Sequence, residues 1–165
     1  MRRRAVIVCT VILSVVALTA TAVMAADNFA GTWKLNVAKS KYSPDPAPKS
    51  GTTRIETTAD GFKIVADGVN SEGKKTHVEY TAKFDGKDYP EKVLLDGQLD
   101  PSGADMVSVR KLDDYTYEST TKLKGKTLVV TKNVFSKDVK TRTQTVTGMN
   151  AQGKPVNNTV VYERQ

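Results

Sequence analysis

Beyond residue 25 the chain sustains no apolar period of three to four residues; short runs alternate apolar with polar positions and break about every ten residues at Gly, Asp or Asn. Alternation at a period of two marks a strand with one packed and one wet face, because successive side chains point to opposite sides of the pleat. Along the run from Val78 to Phe84, Val78, Tyr80, Ala82 and Phe84 fall on one face and Glu79, Thr81 and Lys83 on the other. Val107 and Val109 oppose Ser108 and Arg110 in the same way, and Phe62 and Ile64 oppose Lys63 and Val65. The strand candidates are 31–36, 52–58, 61–66, 76–84, 105–112, 115–121, 127–135, 141–147 and 156–164. The 17 threonines after residue 25 suit half-buried pleated strands. A single sheet cannot hide its apolar face from water, and no helical segment is at hand to cover it, so the sheet must close into a barrel or fold into a sandwich. Short connections favour closure in sequence order. The expected fold is all-β: a closed antiparallel up-and-down β-barrel of about eight to ten strands, after an N-terminal signal helix.

Turn residues sit where hairpins need them. Ala59-Asp60-Gly61, Ser71-Glu72-Gly73, Phe84-Asp85-Gly86, Lys124-Gly125 and Ala151-Gln152-Gly153 supply positive φ or side-chain capping. The stretch 38–51 carries Pro44, Pro46 and Pro48, which exclude helix interior and central strand, and reads as an extended loop across one end of the fold. An internal echo at an offset of 80 residues, Gly68-Val69-Asn70-Ser71-Glu72-Gly73-Lys74 against Gly148-Met149-Asn150-Ala151-Gln152-Gly153-Lys154, predicts two equivalent hairpin tips.

The first 25 residues read differently. Arg2, Arg3 and Arg4 precede an apolar run from Ala5 to Leu18, and Val23-Met24-Ala25 resembles the end of a signal peptide, with cleavage expected after Ala25 or Ala26. The expected organisation is a signal peptide over 1–25 and one barrel domain over 26–165, with a periplasmic or secreted location and membrane contact only through the signal before cleavage. Three charges of the net +7 belong to Arg2, Arg3 and Arg4, which leaves +4 on the domain. About 140 residues make one core and are too few for a nucleotide domain plus a substrate domain. Cys9, the single cysteine, lies in the apolar run, so the domain has no thiol for a disulfide, a thiolate metal site or a nucleophile.

The segment Asn28-Phe29-Ala30-Gly31-Thr32-Trp33-Lys34-Leu35 resembles the opening of the calycin group, the lipocalins and fatty-acid-binding proteins, where Gly-x-Trp begins the first barrel strand. Val160-Val161-Tyr162-Glu163-Arg164 is similar to the closing strand of the fatty-acid-binding branch, and the order of elements resembles that of bacterial exported lipocalin-like proteins. The resemblance implies that Trp33 plugs the narrow end of the barrel, with Arg164 or Arg142 packed over its ring. The chain departs from the pattern in three places. Val160 stands where an Arg-x-Tyr carboxylate clamp needs its arginine, 38–51 is too short for a helical lid, and the closing helix and disulfide of lipocalins have no counterpart.

Chemistry-bearing motifs are sparse. His77, the only histidine, falls by alternation on a wet face, and no second histidine exists for a triad or a multi-histidine metal site. Asp113-Asp114 and the acidic residues of 96–105 read as turn chemistry beside Gly97, Pro101 and Gly103. Lys122, Lys124, Lys126, Lys132, Lys137 and Lys140 are scattered by strand alternation and have no interleaved aromatics, so they predict a solvated face and not a nucleic-acid surface. Neither enzymatic activity nor a metal or cofactor is expected. Tyr80, Tyr115, Tyr117 and Tyr162 would place phenols inside a barrel, suited to stacking on and hydrogen-bonding a hydrophobic or amphipathic molecule. With them, Phe84, Val107 and Val130 complete the expected ligand contacts. The expected role is small-molecule binding or carriage. The alternative is a side-chain-filled structural or interaction barrel of the cell envelope without a ligand.

Overall fold

The computed structural model describes residues 28–58, 61–150 and 153–165. The expected signal segment lies outside these residues. The described chain forms eleven strands: β1 (Gly31–Leu35), β2 (Ser50–Thr57), β3 (Phe62–Val69), β4 (Lys75–Ala82), β5 (Asp85–Leu95), β6 (Gln98–Leu99), β7 (Met106–Asp113), β8 (Thr116–Leu123), β9 (Lys126–Phe135), β10 (Thr141–Met149) and β11 (Pro155–Arg164). β1 to β5 pair antiparallel in sequence order, β5 pairs with β7, and β7 to β11 continue the order. The ring closes where β1 meets β11, with Trp33 opposite Arg164 and Leu35 opposite Tyr162. Two-residue β6 pairs only with β5, so ten strands form the wall of a closed up-and-down barrel.

The described parts of the two echoed segments fold alike. Asn70 N–H donates to Lys74 O at 2.9 Å and Asn150 N–H to Lys154 O at 2.9 Å; the Asn70 and Asn150 side-chain carbonyls accept from Lys74 and Lys154 N–H, each at 2.9 Å. The asparagine thus closes each turn twice, once with its backbone and once with its side chain. Lys124-Gly125 turns β8 into β9 with both φ values positive, 50° and 78°, the conformation that matches the twist of a tight hairpin.

One sequence expectation is corrected and one is refined. The strand β5 spans residues read as turn and gap, because Gly86, Pro90 and five charges between Asp85 and Lys92 mask its alternation. It changes partner midway: Asp85 to Pro90 pair with β7, and Glu91 to Leu95 pair with β4. Pro90, which has no N–H to donate, stands at the changeover. The proline-bearing loop is also less free than a crossing loop. After a single 3-10 turn at Val37–Lys39, Lys41 pairs with Thr159 at 2.7 and 2.9 Å, and Ser43 O accepts from Asn157 N–H at 2.9 Å. The loop therefore prolongs β1 along the upper part of β11 before passing over that end of the barrel.

The lower end, where β1 begins, is filled. Phe29, Trp33, Phe62, Phe84, Tyr117 and Phe135 form a ring-on-ring cluster with centroids 4.8–6.2 Å apart, mostly tilted or edge-on. Phe29 crosses below the strands, and its carbonyl accepts a hydrogen bond from the Trp33 indole N–H at 3.1 Å. Such tilted contacts suit the aromatic quadrupole, and the burial supplies much of the core's stabilisation. Outward faces carry ion pairs instead, among them Lys63–Glu79, Arg110–Glu118 and Lys122–Asp88. His77 belongs to this wet face, with Nδ1 2.8 Å from Asp67 Oδ1.

Candidate functional site in the upper lumen

Inward-facing positions divide the barrel into two halves. In the lower half they are buried: Trp33, Ile55, Phe62, Ile64, Ala82, Val109, Tyr117 and Phe135 all belong to the closed core. In the upper half Ala66, Val78, Glu91, Val93, Thr121, Thr131, Gln144, Val146 and Tyr162 share the inward register, yet each is only half-buried. A side chain that points into a barrel and is still partly accessible lines open space. A pocket of about 200 Å³ lies at this mouth, walled by Leu35, Thr53, Ala66, Val78, Val160 and Tyr162 and roofed by Tyr42 and Pro48 of the loop. It is smaller than the ~300–1,000 Å³ of pockets for drug-sized molecules, so its shape suits a small occupant.

Two charged groups face this interior from opposite parts of the wall. Glu91 on β5 sits opposite Tyr80 of β4, and its Oε2 is buried without a hydrogen-bond partner. Burial pushes the Glu91 carboxyl up from 4.5 to about 7. Arg142 on β10 is 3 % exposed, and its Nη1 is likewise buried and unpartnered. Its Nε donates to Asn133 Oδ1 at 3.1 Å, and its guanidinium carbon lies 4.7 Å from the Tyr162 ring centroid and 6.0 Å from that of Phe135. Gln144 donates to the same Asn133 oxygen at 2.9 Å, which fixes the amide between two donors. The Tyr80 hydroxyl stands within the influence of both charges. Burial raises its pKa far above 10, with Tyr117 and Glu91 adding to the rise and Arg142 opposing it. Tyr42 is raised by burial and then by the neighbouring Tyr162 phenol, which ties the loop to the mouth of the lumen.

The residues singled out in the sequence separate accordingly. Tyr80 and Tyr162 border the half-open upper lumen, while Val107 and Tyr117 are inward but sealed, at 0 % and 1 % exposure. Phe84 and Tyr115 pack against the closed core, below the open part. Val130 is a correction: it pairs with Thr120 and Thr147 and shares the face of exposed Lys132 and Val134, so it belongs to the outer wall. Leu128, Val129 and Val130 form an unbroken apolar run, which leaves the face undecided until the register is known. Trp33 is 0 % exposed at the lower end, and the Arg164 guanidinium carbon stands 5.5 Å from its ring centroid. Arg142 packs on Phe135 and Tyr162 instead.

Sequence reasoning missed Glu91 as a lumen group, and Asn133 and Gln144 as the polar companions of Arg142. Glu91 shares its parity with Tyr89, Val93 and Leu95, an acid on an otherwise apolar face, and that spacing was the available signal. No protein-family model matches the chain, and no curated protein matches it.

Proposed function

We propose that this protein is an exported, non-enzymatic binding protein that holds a small amphipathic molecule in the upper half of its barrel. The observation that carries the reading is the contrast between halves: inward side chains are sealed below, whereas above Ala66, Val78, Glu91, Val93, Gln144 and Val146 stay half-accessible among buried Thr53, Val156 and Val160. The mixed lining supports it, since valines and Tyr162 offer apolar contact while Glu91, Gln144 and Arg142 offer a few convergent polar groups. Export to the periplasm or the exterior rests on the basic and apolar pattern of residues 1–25 alone.

The packed lower half favours a second reading, a filled barrel that serves the cell envelope as a structural or interaction module. Native mass spectrometry of the protein purified from its own cells separates the two. Ligand binding predicts a reproducible adduct of small mass that is lost when Val78→Trp fills the mouth. A bare mass in both proteins, with no small probe taken up on titration, supports the filled barrel and refutes the first reading.

A further inference from the structure

We propose that the occupant of the upper lumen is a small zwitterion, an amino carboxylate with an apolar body, whose ammonium group meets Glu91 and whose carboxylate meets Arg142. The inference rests on the lumen-binding reading and narrows it to one chemical class. Glu91 Oε2 and Arg142 Nη1 are the two buried side-chain atoms, among the described residues, that lack a hydrogen-bond partner. Their charges are opposite, and they approach from separate parts of the wall, β5 and β10, with β7, β8 and β9 between them on the ring. Leaving either charge unpaired in a low-dielectric interior is costly, whereas a ligand that brings the complementary charge turns each into a charge-assisted hydrogen bond.

The arrangement argues against singly charged amphiphiles. A carboxylate alone would satisfy Arg142 and leave Glu91 unpaired; an amine alone would satisfy Glu91 and face the Arg142 cation across the lumen. A molecule with both groups is neutral overall and answers both walls. Val78 and Val93 stand opposite each other one inward position from Glu91, and they supply the apolar contact for its body. The pocket of about 200 Å³ at the mouth shares Val78 and Tyr162 with this arrangement, while Glu91, Val93 and Arg142 lie outside its lining; its size suits a short molecule and not a long acyl chain. Tyr162, which lines that pocket and stacks on the Arg142 guanidinium at 4.7 Å, is the side chain between the mouth and the anion-receiving end.

Isothermal titration calorimetry on the full chain tests this with leucine and a series of ω-amino carboxylates that includes 6-aminohexanoate, against hexylamine and hexanoate. At least one amino carboxylate should bind tenfold or more tightly than either singly charged homologue. Glu91→Gln should erase that preference and leave hexanoate binding unchanged, and Arg142→Gln should erase it from the other side. Because Arg142 is deeply buried, its variant counts only if its circular dichroism spectrum matches wild type; Glu91→Gln carries the test by itself otherwise. Hexanoate binding as tightly as every amino carboxylate, or a preference unmoved by Glu91→Gln, overturns the zwitterion and leaves the lumen reading standing. If none of these ligands binds and a fluorescent apolar probe is also refused, both fall together.

Discussion

Glu91→Gln should make the protein more stable at alkaline pH and flatten its pH dependence. The Glu91 carboxyl is raised from 4.5 to about 7 by burial, so the folded state binds a proton that the unfolded state releases between those values. With the folded value above the unfolded one, the contribution of this group is fully present below pH 4.5 and is lost as pH rises through 7. At about 1.4 kcal/mol per pH unit, the interval is worth about 3 kcal/mol. Groups common to both proteins cancel in the comparison of wild type with Glu91→Gln. The carboxyls of Glu79, Asp85, Asp100, Asp113, Asp138 and Glu163 are held below their ordinary values, so their contributions are lost on acidification below that range. Tyr80 and Tyr117 are raised above 10 and titrate beyond it. Urea unfolding followed by the fluorescence of Trp33, the single tryptophan, gives the free energy at pH 5, 6, 7 and 8.5. Wild type should lose about 2–3 kcal/mol more than Glu91→Gln across that range, equivalent to roughly 5–10 °C in Tm for a domain of this size. Parallel pH profiles for the two proteins would refute the placement of Glu91 in a desolvated lumen.

Three further substitutions probe the packed end and the wall. Phe29→Ala removes a ring that touches Phe84, Tyr117 and Phe135 at 4.9–5.8 Å between centroids, and should cost about 3–5 kcal/mol in urea unfolding. Arg164→Met removes a guanidinium stacked on Trp33 and its 2.8 Å hydrogen bond to the Ala30 carbonyl; a loss of about 1–2 kcal/mol, with a shift in Trp33 emission, is expected. Gly148→Ala should cost more than about 2 kcal/mol in thermal melts, since φ is +147° and the new methyl would stand 2.8 Å from Val129 Cα, against about 1 kcal/mol for Gly125→Ala, where φ is +78° but the surroundings are open.

The barrel was legible in the sequence because runs such as Val78 to Phe84 and Phe62 to Val65 declare their inward face at every second residue. The pattern failed where an inward position is polar. In Thr141-Arg142-Thr143-Gln144-Thr145-Val146 the inward set is Arg142, Gln144 and Val146, and nothing in the run distinguishes it from the wet set until β10 is seen in register with Phe135 and Tyr162. Glu91 was hidden for a related reason, since Pro90 and its charged neighbours obscure a strand that changes partners at that point. The phenols read as ligand contacts were correctly expected to turn inward at Tyr80, Tyr117 and Tyr162. How far each sits along the barrel axis is set by strand stagger, which no local pattern records. The groups that make the upper lumen chemically distinctive are therefore those that break the alternation used to find the fold.

The most direct test is thiol reactivity along one inward face of β3, in the Cys9→Ser chain. Ile64 is 4 % exposed in the sealed half, and Ala66, the next inward position, is half-buried in the open half. A small methanethiosulfonate reagent should modify Ala66→Cys readily and leave Ile64→Cys protected under native conditions. Equal protection of both would mean a lumen filled from end to end, and equal reactivity would mean that the aromatic plug does not seal the lower half; either result contradicts the account.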